Sequence, residues 1–436
     1  MLKGHTKIEL TNVFTDKKEV HEHDNIVTVA LEKNLNEISK IKQYSDVNSI
    51  MLPISDLGLG GILLFENELT ESTDNISIPS DFDNKLVGYA SNDAYSGSDI
   101  KRGSRNSSES AVIEKGYKYV WDFSTSQANG QISALSLTHA VCGAVPYGYN
   151  SKQDLSTLGG SHISSIDIGI IRYGAVEYDF NNRILTAIQF ESSKRLNVIK
   201  YRIPLDELRV NSKMLFFEKI STEMVDLIYD INVNSALAVD ETYYYFATTG
   251  DNVSSTSSSK TLTVCRISKN GYVYDTDFGK KQKTLEKNIT ISKNNRYINI
   301  LNNYLYVSAN GMINKISLND FDVSYQYDTG TTSNLRFTNY GTNTMISGKY
   351  VVFDNGNKFT IIDRTSSSSF DGILRSNENV VFISDAGFIL SVDSYGTIGL
   401  GTLLNYLGTI NNLSTPVEKT SAQTMKITYT LTEDTV

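Results

Sequence analysis

The sequence predicts a mostly β protein. It reads as an N-terminal β-hairpin plus short helix, then a β-sandwich-like module completed by the C-terminal strand, with an inserted β-propeller-like repeat of about five blades. Three observations carry that expectation. The 436-residue chain holds 39 Asn, 50 Ser and 38 Thr beside 26 Tyr and 17 Phe, with only 5 Pro. Asn, Ser and Thr compete with the helical backbone, whereas Thr, Tyr and Phe suit strands. Period-2 alternation opens and closes the chain, and one hairpin-like unit recurs through its middle. At ~150 residues per domain, two or more domains are expected.

The first element is a hairpin over residues 6–23. Ile8, Leu10 and Val13 alternate with Lys7, Glu9 and Thr11, Thr15 to Lys18 form the turn, and Glu19 to His23 return. Asp24 or Asn25 then caps a helix through Ile26, Val29, Ala30, Leu31, Leu35 and Ile38, whose apolar residues recur at helical spacing. These segments make up a unit over residues 1–50.

Residues 51–150 form the sandwich-like module, with strands at Gly61 to Phe65, Leu86 to Ala90, Gly116 to Phe123 and Gly130 to His139. The polar loop Ser91 to Ser110 holds Lys101, Arg102 and Arg105, a cationic patch in a chain of net charge −9. From Pro146 to Gly160 the texture is that of a linker.

Over 160–400 the unit is an apolar strand, a polar turn and a second alternating strand. Its copies begin at Arg183, Tyr243, Tyr304, Tyr350 and Val380, so their spacing is 60, 61, 46 and 30 residues. Several turns pair Asn or Asp with Gly, a strong hairpin signal. Repetition of a small β-unit over this length predicts a propeller, with an irregular sandwich or solenoid as the alternative. Ile166 to Ile171 is placed to complete the last blade and close the ring. Ser254 to Ser259 and Ser366 to Ser369 read as loop tips. The segment 403–436 ends in a strand, Thr424 to Glu433, after a turn around Pro416.

Composition also excludes functions. The net charge of −9 argues against nucleic acid, which rewards a basic face. So many aromatic and β-branched residues argue against disorder. The two cysteines, Cys142 and Cys265, are too few for a disulfide framework or a four-ligand zinc site, and read as buried, unpaired thiols. Met1 to Thr6 turns polar at once, with no secretory h-region behind it, and Leu57 to Phe65 is too short to span a bilayer. The expectation is a chain made in the cytosol with no membrane insertion, and no cofactor is expected.

Few side chains suggest chemistry. Gly58-Leu59-Gly60-Gly61 lacks the third spaced glycine and the Lys-Ser/Thr of a phosphate loop, and a strand follows it; it reads as a turn. His21 and His23 flank Glu22 on one strand, so their imidazoles share a face. They are metal-ligand candidates in a three-fold assembly, or simply solvated histidines on a hairpin arm. His5, His139 and His162 are scattered. Ser391-Val-Asp393-Ser-Tyr-Gly396-Thr-Ile398 departs from the sialidase turn in glycine position and lacks the Trp. No nucleophile elbow or distinctive acid pair is legible, so no catalytic residue is assigned. Tyr243-Tyr244-Tyr245 is the richest aromatic patch. Tyr243 and Tyr245 share a face and are ligand-binding candidates if a ring is exposed, since tyrosine stacks on sugars; core packing is the plainer role.

Several phrases are familiar. Lys3-GHTKIELTNVFTDKKEVHEHDNIVTVAL-Glu32, Leu59-GGILLF-Glu66, Lys118-YVWDFSTSQANGQISALSLT-His139 and Leu407-GTINNLSTPVEKTSAQTMKITYTLT-Glu433 stand in that order. They resemble tail-fibre or receptor-binding proteins of phages and phage-tail-like bacteriocins from low-GC Gram-positive bacteria. The resemblance covers residues 1–145 and 403–436 and leaves the middle untouched. It implies a non-enzymatic virion or tail-particle component whose terminal parts form an attachment module. The partners it implies are other tail or baseplate proteins and a host cell-wall glycopolymer, and the state it implies is a homo-oligomer, a trimer. It also implies that Thr424 to Thr432 pairs with the sheet holding Tyr117 to Phe123 and Gly130 to Thr138. A glycan depolymerase with a hidden acid pair, or a baseplate scaffold without host contact, are the competing readings.

Overall fold

The computed structural model describes residues 2–33, 35, 59–79, 85–140, 142, 150–154, 175–179, 182, 184–202, 218–227, 231–233, 235–249, 260–285, 291, 298–309, 311–329, 335, 337–340, 343–347, 350–356, 358–363, 379–383, 388–392, 398–403 and 406–433. The first strands are β1 (Leu2–Asn12), β2 (Lys18–Val27), β3 (Gly61–Phe65), β4 (Leu86–Ala90), β5 (Ser104–Arg105), β6 (Ala111–Ile113), β7 (Gly116–Phe123), β8 (Gly130–Thr138) and β9 (Asn150–Asp154). Blade one follows as β10 (Ala175–Asp179), β11 (Ile184–Ser192), β12 (Arg195–Arg202) and β13 (Glu218–Asp226). Blade two is β14 (Ala236–Val239), β15 (Tyr243–Thr249), β16 (Lys260–Ser268) and β17 (Lys281–Leu285). Blade three is β18 (Ile298–Leu301), β19 (Tyr304–Ala309), β20 (Met312–Ser317) and β21 (Val323–Asp328). Blade four is β22 (Thr338–Tyr340), β23 (Thr344–Ser347), β24 (Tyr350–Asp354) and β25 (Phe359–Asp363). Then come β26 (Asn379–Ile383), β27 (Phe388–Val392), β28 (Ile398–Leu403), β29 (Thr409–Lys419) and β30 (Gln423–Glu433).

The sandwich-like module takes the form of one curled sheet, ordered β4-β3-β8-β29-β2-β1-β30-β7-β5, with β6 also on β7. Its two edges meet: the Tyr89 amide donates to Lys101 O at 2.9 Å and the Gly103 amide to Tyr89 O at 2.7 Å, so the sheet closes nearly into a barrel. Alternation on β1, β7 and β30 sends Ile8, Leu10, Trp121, Phe123, Met425, Ile427 and Tyr429 into one fully buried core. The strand β3 has no alternation because both its faces are covered. Ile62 and Leu64 enter the barrel core, while Leu63 and Phe65 join a second cluster with Val351 and Phe353 of blade four. The C-terminal strand joins the sheet as expected, with Met425 opposite Phe123 and Thr432 opposite Gly116.

The middle of the chain is a five-bladed propeller. Four blades are four-stranded and sequential, and the fifth is ordered β26-β27-β28-β9. The innermost strands β10, β14, β18, β22 and β26 touch in turn, and β26 touches β10, which closes the ring. The outermost strand of the fifth blade is β9, from before the repeat, pairing Asn150 with Leu403 and Asp154 with Gly399.

Four expectations change. The ring is closed by Asn150–Asp154, inside the stretch that reads as a linker; as an outermost strand, it needs no apolar alternation to hold its place. Ile166 to Ile171 lies outside the described residues. Asp24 and Asn25 do not cap a helix: they extend β2, opposite His5 and Gly4, because the ladder with β1 outweighs local capping preference. Helical structure begins at 29, after Thr28, whose Oγ1 lies 3.5 Å from the Leu31 amide, and Ile38 lies outside the described residues. Pro416 is no turn but sits within β29, where the register with β8 shifts between Asn412 and Val417, a bulge that tolerates its missing N–H. From second strand to second strand the blades start at Ile184, Tyr243, Tyr304, Thr344 and Phe388, so the repeats themselves shorten from 59 and 61 residues to 40 and 44, and the hairpins read from the sequence also differ in phase. The first three are second and third strands of their blades, the fourth is third and fourth, and the fifth is first and second.

One cross-strand position recurs on neighbouring blades. Tyr245 faces Arg266 in blade two, and Tyr306 faces Lys315 in blade three. Lys315 Nζ lies 2.7 Å from Asp354 Oδ2 of blade four, with both side chains buried, and Tyr306 Oη donates to the same carboxylate. Breaking such a pair by removing one partner costs about 3–5 kcal/mol, because the other charge stays buried alone. Lys315→Met is therefore expected to lower unfolding free energy by about that amount in urea titrations of the full chain, and Lys315→Met/Asp354→Leu to recover most of it. An unchanged midpoint in the single variant would mean the network is not buried in solution.

Candidate functional site

Where alternation sends apolar residues inward, it sends polar ones outward, and on one side of the barrel these form a cleft of about 650 Å³. Its floor is a grid set by strand register. Glu9 lies opposite Lys426, Lys426 opposite Asp122, and Asp122 opposite Ser104, so the four stand in one row across β1, β30, β7 and β5. Lys18, Thr11 and Thr424 make the next row. Leu10, Phe123 and Met425, on the opposite face of these strands, are buried. At ~4.8 Å per strand, Glu9 and Asp122 are roughly 10 Å apart, with the Lys426 ammonium between them.

Two loops wall the cleft. The first is Tyr95-Ser96-Gly97, tied down by Tyr95 N to Ser104 Oγ at 2.9 Å and Asp99 N to Tyr95 Oη at 2.9 Å. A Cβ on Gly97 would stand 2.3 Å from Tyr95 Oη, so a larger residue there would displace the Tyr95 ring from the wall. Arg102 stacks 4.4 Å from the Tyr95 centroid and forks onto Asp93 at 2.8 Å. The second wall is Ser124 to Gln127, whose Gln127 Oε1 accepts from the Ser124 amide at 2.8 Å. Lys419 braces it from behind, donating to Ser124 O and Asn129 Oδ1; burial pushes this ammonium down to about 8.

Three of the four floor charges are already engaged. Lys426 pairs with Glu109, whose carboxyl that hydrogen bond holds below its ordinary range. Asp122 Oδ2 accepts from Asn106 Nδ2 at 2.7 Å. Glu9 lies 3.4 Å from Lys7.

The cationic loop does not present a basic patch. Arg102 is neutralised by Asp93, and Arg105 turns inward, 7% exposed, under the aromatic run of β7. Its guanidinium carbon lies 4.6 Å from the Tyr119 centroid and 5.4 Å from that of Trp121. Desolvation lowers the Arg105 pKa and pushes the Tyr119 hydroxyl up to about 12. Among the described residues, Arg105 Nη1 and Trp121 Nε1 have no hydrogen-bond partner.

The other candidates scatter. His21 and His23 share a face, as read from the sequence, and pair across the ladder with Ile8 and Thr6 on that same face. His21 Nε2 bonds Glu19 at 2.9 Å, and burial followed by the neighbouring His21 lowers the His23 pKa. No group of three or more His, Cys, Asp or Glu stands ready for a metal among the described residues. Tyr245 is 1% exposed, donates to Asp240 Oδ2 at 2.7 Å and packs in the blade core. That removes it as a surface ring. Tyr243 is half-buried, with the Arg266 guanidinium 3.8 Å from its ring centroid. Cys142 and Cys265 are buried and not in a disulfide; Cys142 Sγ donates to Ala90 O at 3.4 Å, and burial raises the Cys265 thiol to about 12. His162, Ser254 to Ser259, Ser366 to Ser369 and Asp393 to Gly396 lie outside the described residues. The cleft itself was missed in the sequence, although the outward set Glu9, Thr11, Asp122, Thr424 and Lys426 was implied by the same alternation that placed the core.

No family model matches the chain, and no curated protein matches it. Three solved structures that align with it do so at low scores. BamB from Moraxella catarrhalis aligns at 10% identity and TM-score 0.19, over 75% of this chain and 98% of that one. The β-propeller domain of the Trilobed protease from Pyrococcus furiosus, described as having an open velcro topology, aligns at 8% identity and TM-score 0.18, over 73% and 97%. A GH43_12 protein retrieved from a capybara gut metagenome aligns at 10% identity and TM-score 0.22, over 86% and 66%. At such scores nothing about this chain's chemistry follows from them.

His139, at the end of β8, is fully buried with no partner for either ring nitrogen among the described residues, and burial depresses its pKa to about 3. The unfolded chain takes up this proton below about 6.5, but the folded one does not until about 3. Stability from the neutral ring is thus complete above 6.5 and falls away as pH drops through that window. About 2 kcal/mol should be lost by pH 5. Thermal unfolding at pH 7.5 and pH 5.0 should show this loss, and His139→Leu should reduce it; equal losses in both proteins would contradict the buried neutral ring.

Proposed function

We propose that this protein is a particle-borne adsorption protein: a tail-fibre or receptor-binding component of a phage or phage-tail-like bacteriocin that holds a host cell-wall glycopolymer. The observation that supports this reading best is the way the propeller is mounted. It is inserted between β8 and β29, neighbours in the barrel sheet, and its first and last strands pair with each other. A ring closed on itself is thus carried on two adjacent barrel strands, an arrangement suited to displaying one module from another. The terminal segments that build the barrel are also the ones that resemble tail proteins. In this reading the barrel joins other tail or baseplate proteins, the propeller meets the cell surface, the chain works in the virion or tail particle, and trimers supply avidity from individually weak sites.

The chain's charge of −9 repels a phosphate-rich polymer at long range, so contact rests on hydrogen bonding and stacking and not on cationic attraction. The full-length protein, incubated with purified walls of a low-GC Gram-positive host, is expected to sediment with them while the supernatant gains no reducing sugar. Released sugar would make the protein a depolymerase. Failure to sediment on any susceptible wall would leave it a scaffold.

A further inference from the structure

The geometry points to a second sugar contact, on the barrel: we propose that the cleft over β1, β30 and β7 binds a neutral saccharide. This goes beyond the adsorption reading, which places host contact on the propeller, and it stands or falls separately from it.

Shape gives the first argument. A cleft of about 650 Å³ falls within the ~300–1,000 Å³ typical of small-ligand sites. It is built on strands, so its floor is held by the barrel core and not by loop conformation.

Charge gives the second. The floor carries Glu9 and Asp122 against Lys18 and Lys426, so its formal charges cancel. An anionic ligand reaching Lys426 would meet Glu109, already paired with it, and the carboxylates on either side in the row. A cation seeking both floor carboxylates would find the Lys426 ammonium between them. Each charged class of ligand is opposed by a group within one strand spacing.

Hydrogen-bonding capacity gives the third. Carboxylates, ammonium groups and hydroxyls alternate on a lattice of ~4.8 Å between strands and ~6.8 Å along them, comparable with the width of a pyranose ring. Such a lattice satisfies donors and acceptors that point outward around a ring, which is the pattern a sugar offers and an apolar ligand lacks. Lys18 and Thr11 at one end, and Ser104 at the other, extend it beyond a single ring.

The test uses the full chain on an array of neutral, phosphorylated and uronic-acid saccharides, with Glu9→Ala/Lys18→Ala as the cleft variant. Both side chains lie on the outer face of the hairpin, so the variant is expected to keep the wild-type melting temperature, which is checked. Wild type should be retained by at least one neutral saccharide. The variant should lose about tenfold in affinity for it, as expected for hydrogen bonds to charged groups. A Tyr95→Ala protein, which removes the wall and leaves the floor, should also weaken it. The proposal is overturned if wild type binds only charged saccharides or none, or if the double variant binds as well as wild type. Wall sedimentation of the same variant separates the two readings: unchanged sedimentation with lost saccharide binding leaves adsorption to the propeller, and lost sedimentation without saccharide binding counts against this site.

Discussion

The architecture depends on the pairing of the two ends of the chain. The strand β1 lies against β30 in unbroken register from Leu2 opposite Glu433 to Asn12 opposite Gln423. This ladder buries Ile8 and Leu10 beside Met425, Ile427 and Tyr429, and without it the barrel has no wall between β1 and β7. Bringing such distant segments together carries an entropic penalty, but that penalty grows only with the logarithm of loop length, by about 0.6 kcal/mol per doubling. The propeller reduces it further. By pairing β9 with β28 it closes its own ring and places the start of β29 near the end of β8, so the long insertion behaves as a short one.

The same economy of placement separates apolar from polar chemistry. On β1 and β30 every second residue fills the barrel and the residues between them make a polar outer face; on β7 Lys118 and Asp122 share that face with the buried Val120. Within the described residues of the propeller, two cations that are partly or fully buried are answered by carboxylates. Arg266 has Asp275 at 2.8 Å, and Lys315 has Asp354. In the barrel, Arg105 lies against the Tyr119 and Trp121 rings and donates through Nη2 to Tyr117 Oη at 3.5 Å, a largely cation–π arrangement whose strength rises with desolvation and which leaves Nη1 unmatched among the described residues.

Much of this was legible in the sequence. The strands Gly61 to Phe65, Leu86 to Ala90 and Gly116 to Phe123 stand where alternation or short apolar runs put them, and Thr424 to Thr432 returns to the sheet holding Tyr117 to Phe123, as the resemblance of the terminal segments implied. The five hairpins gave the blade number. What was not legible is what tertiary pairing decides. The strand Asn150–Asp154 is polar throughout, so nothing local marks it; it exists because β28 offers an edge. Asp24 and Asn25 look like caps and become ladder residues because β1 is present. The triple tyrosine signalled aromatic richness but not direction. Only the blade shows that Tyr245 points into the core and that Arg266 covers Tyr243. The cleft was hidden for a related reason, since its floor joins residues from opposite ends of the chain.

Amide hydrogen exchange of the full chain, read by mass spectrometry, tests the central claim most directly. If the terminal ladder closes the barrel, peptides covering 2–12, 116–123 and 423–433 are protected together and open together, to the same degree as 61–65 and 130–138. Rapid exchange across 423–433 while 61–65 and 130–138 stay protected would show that the barrel stands without its C-terminal strand, and would contradict the account.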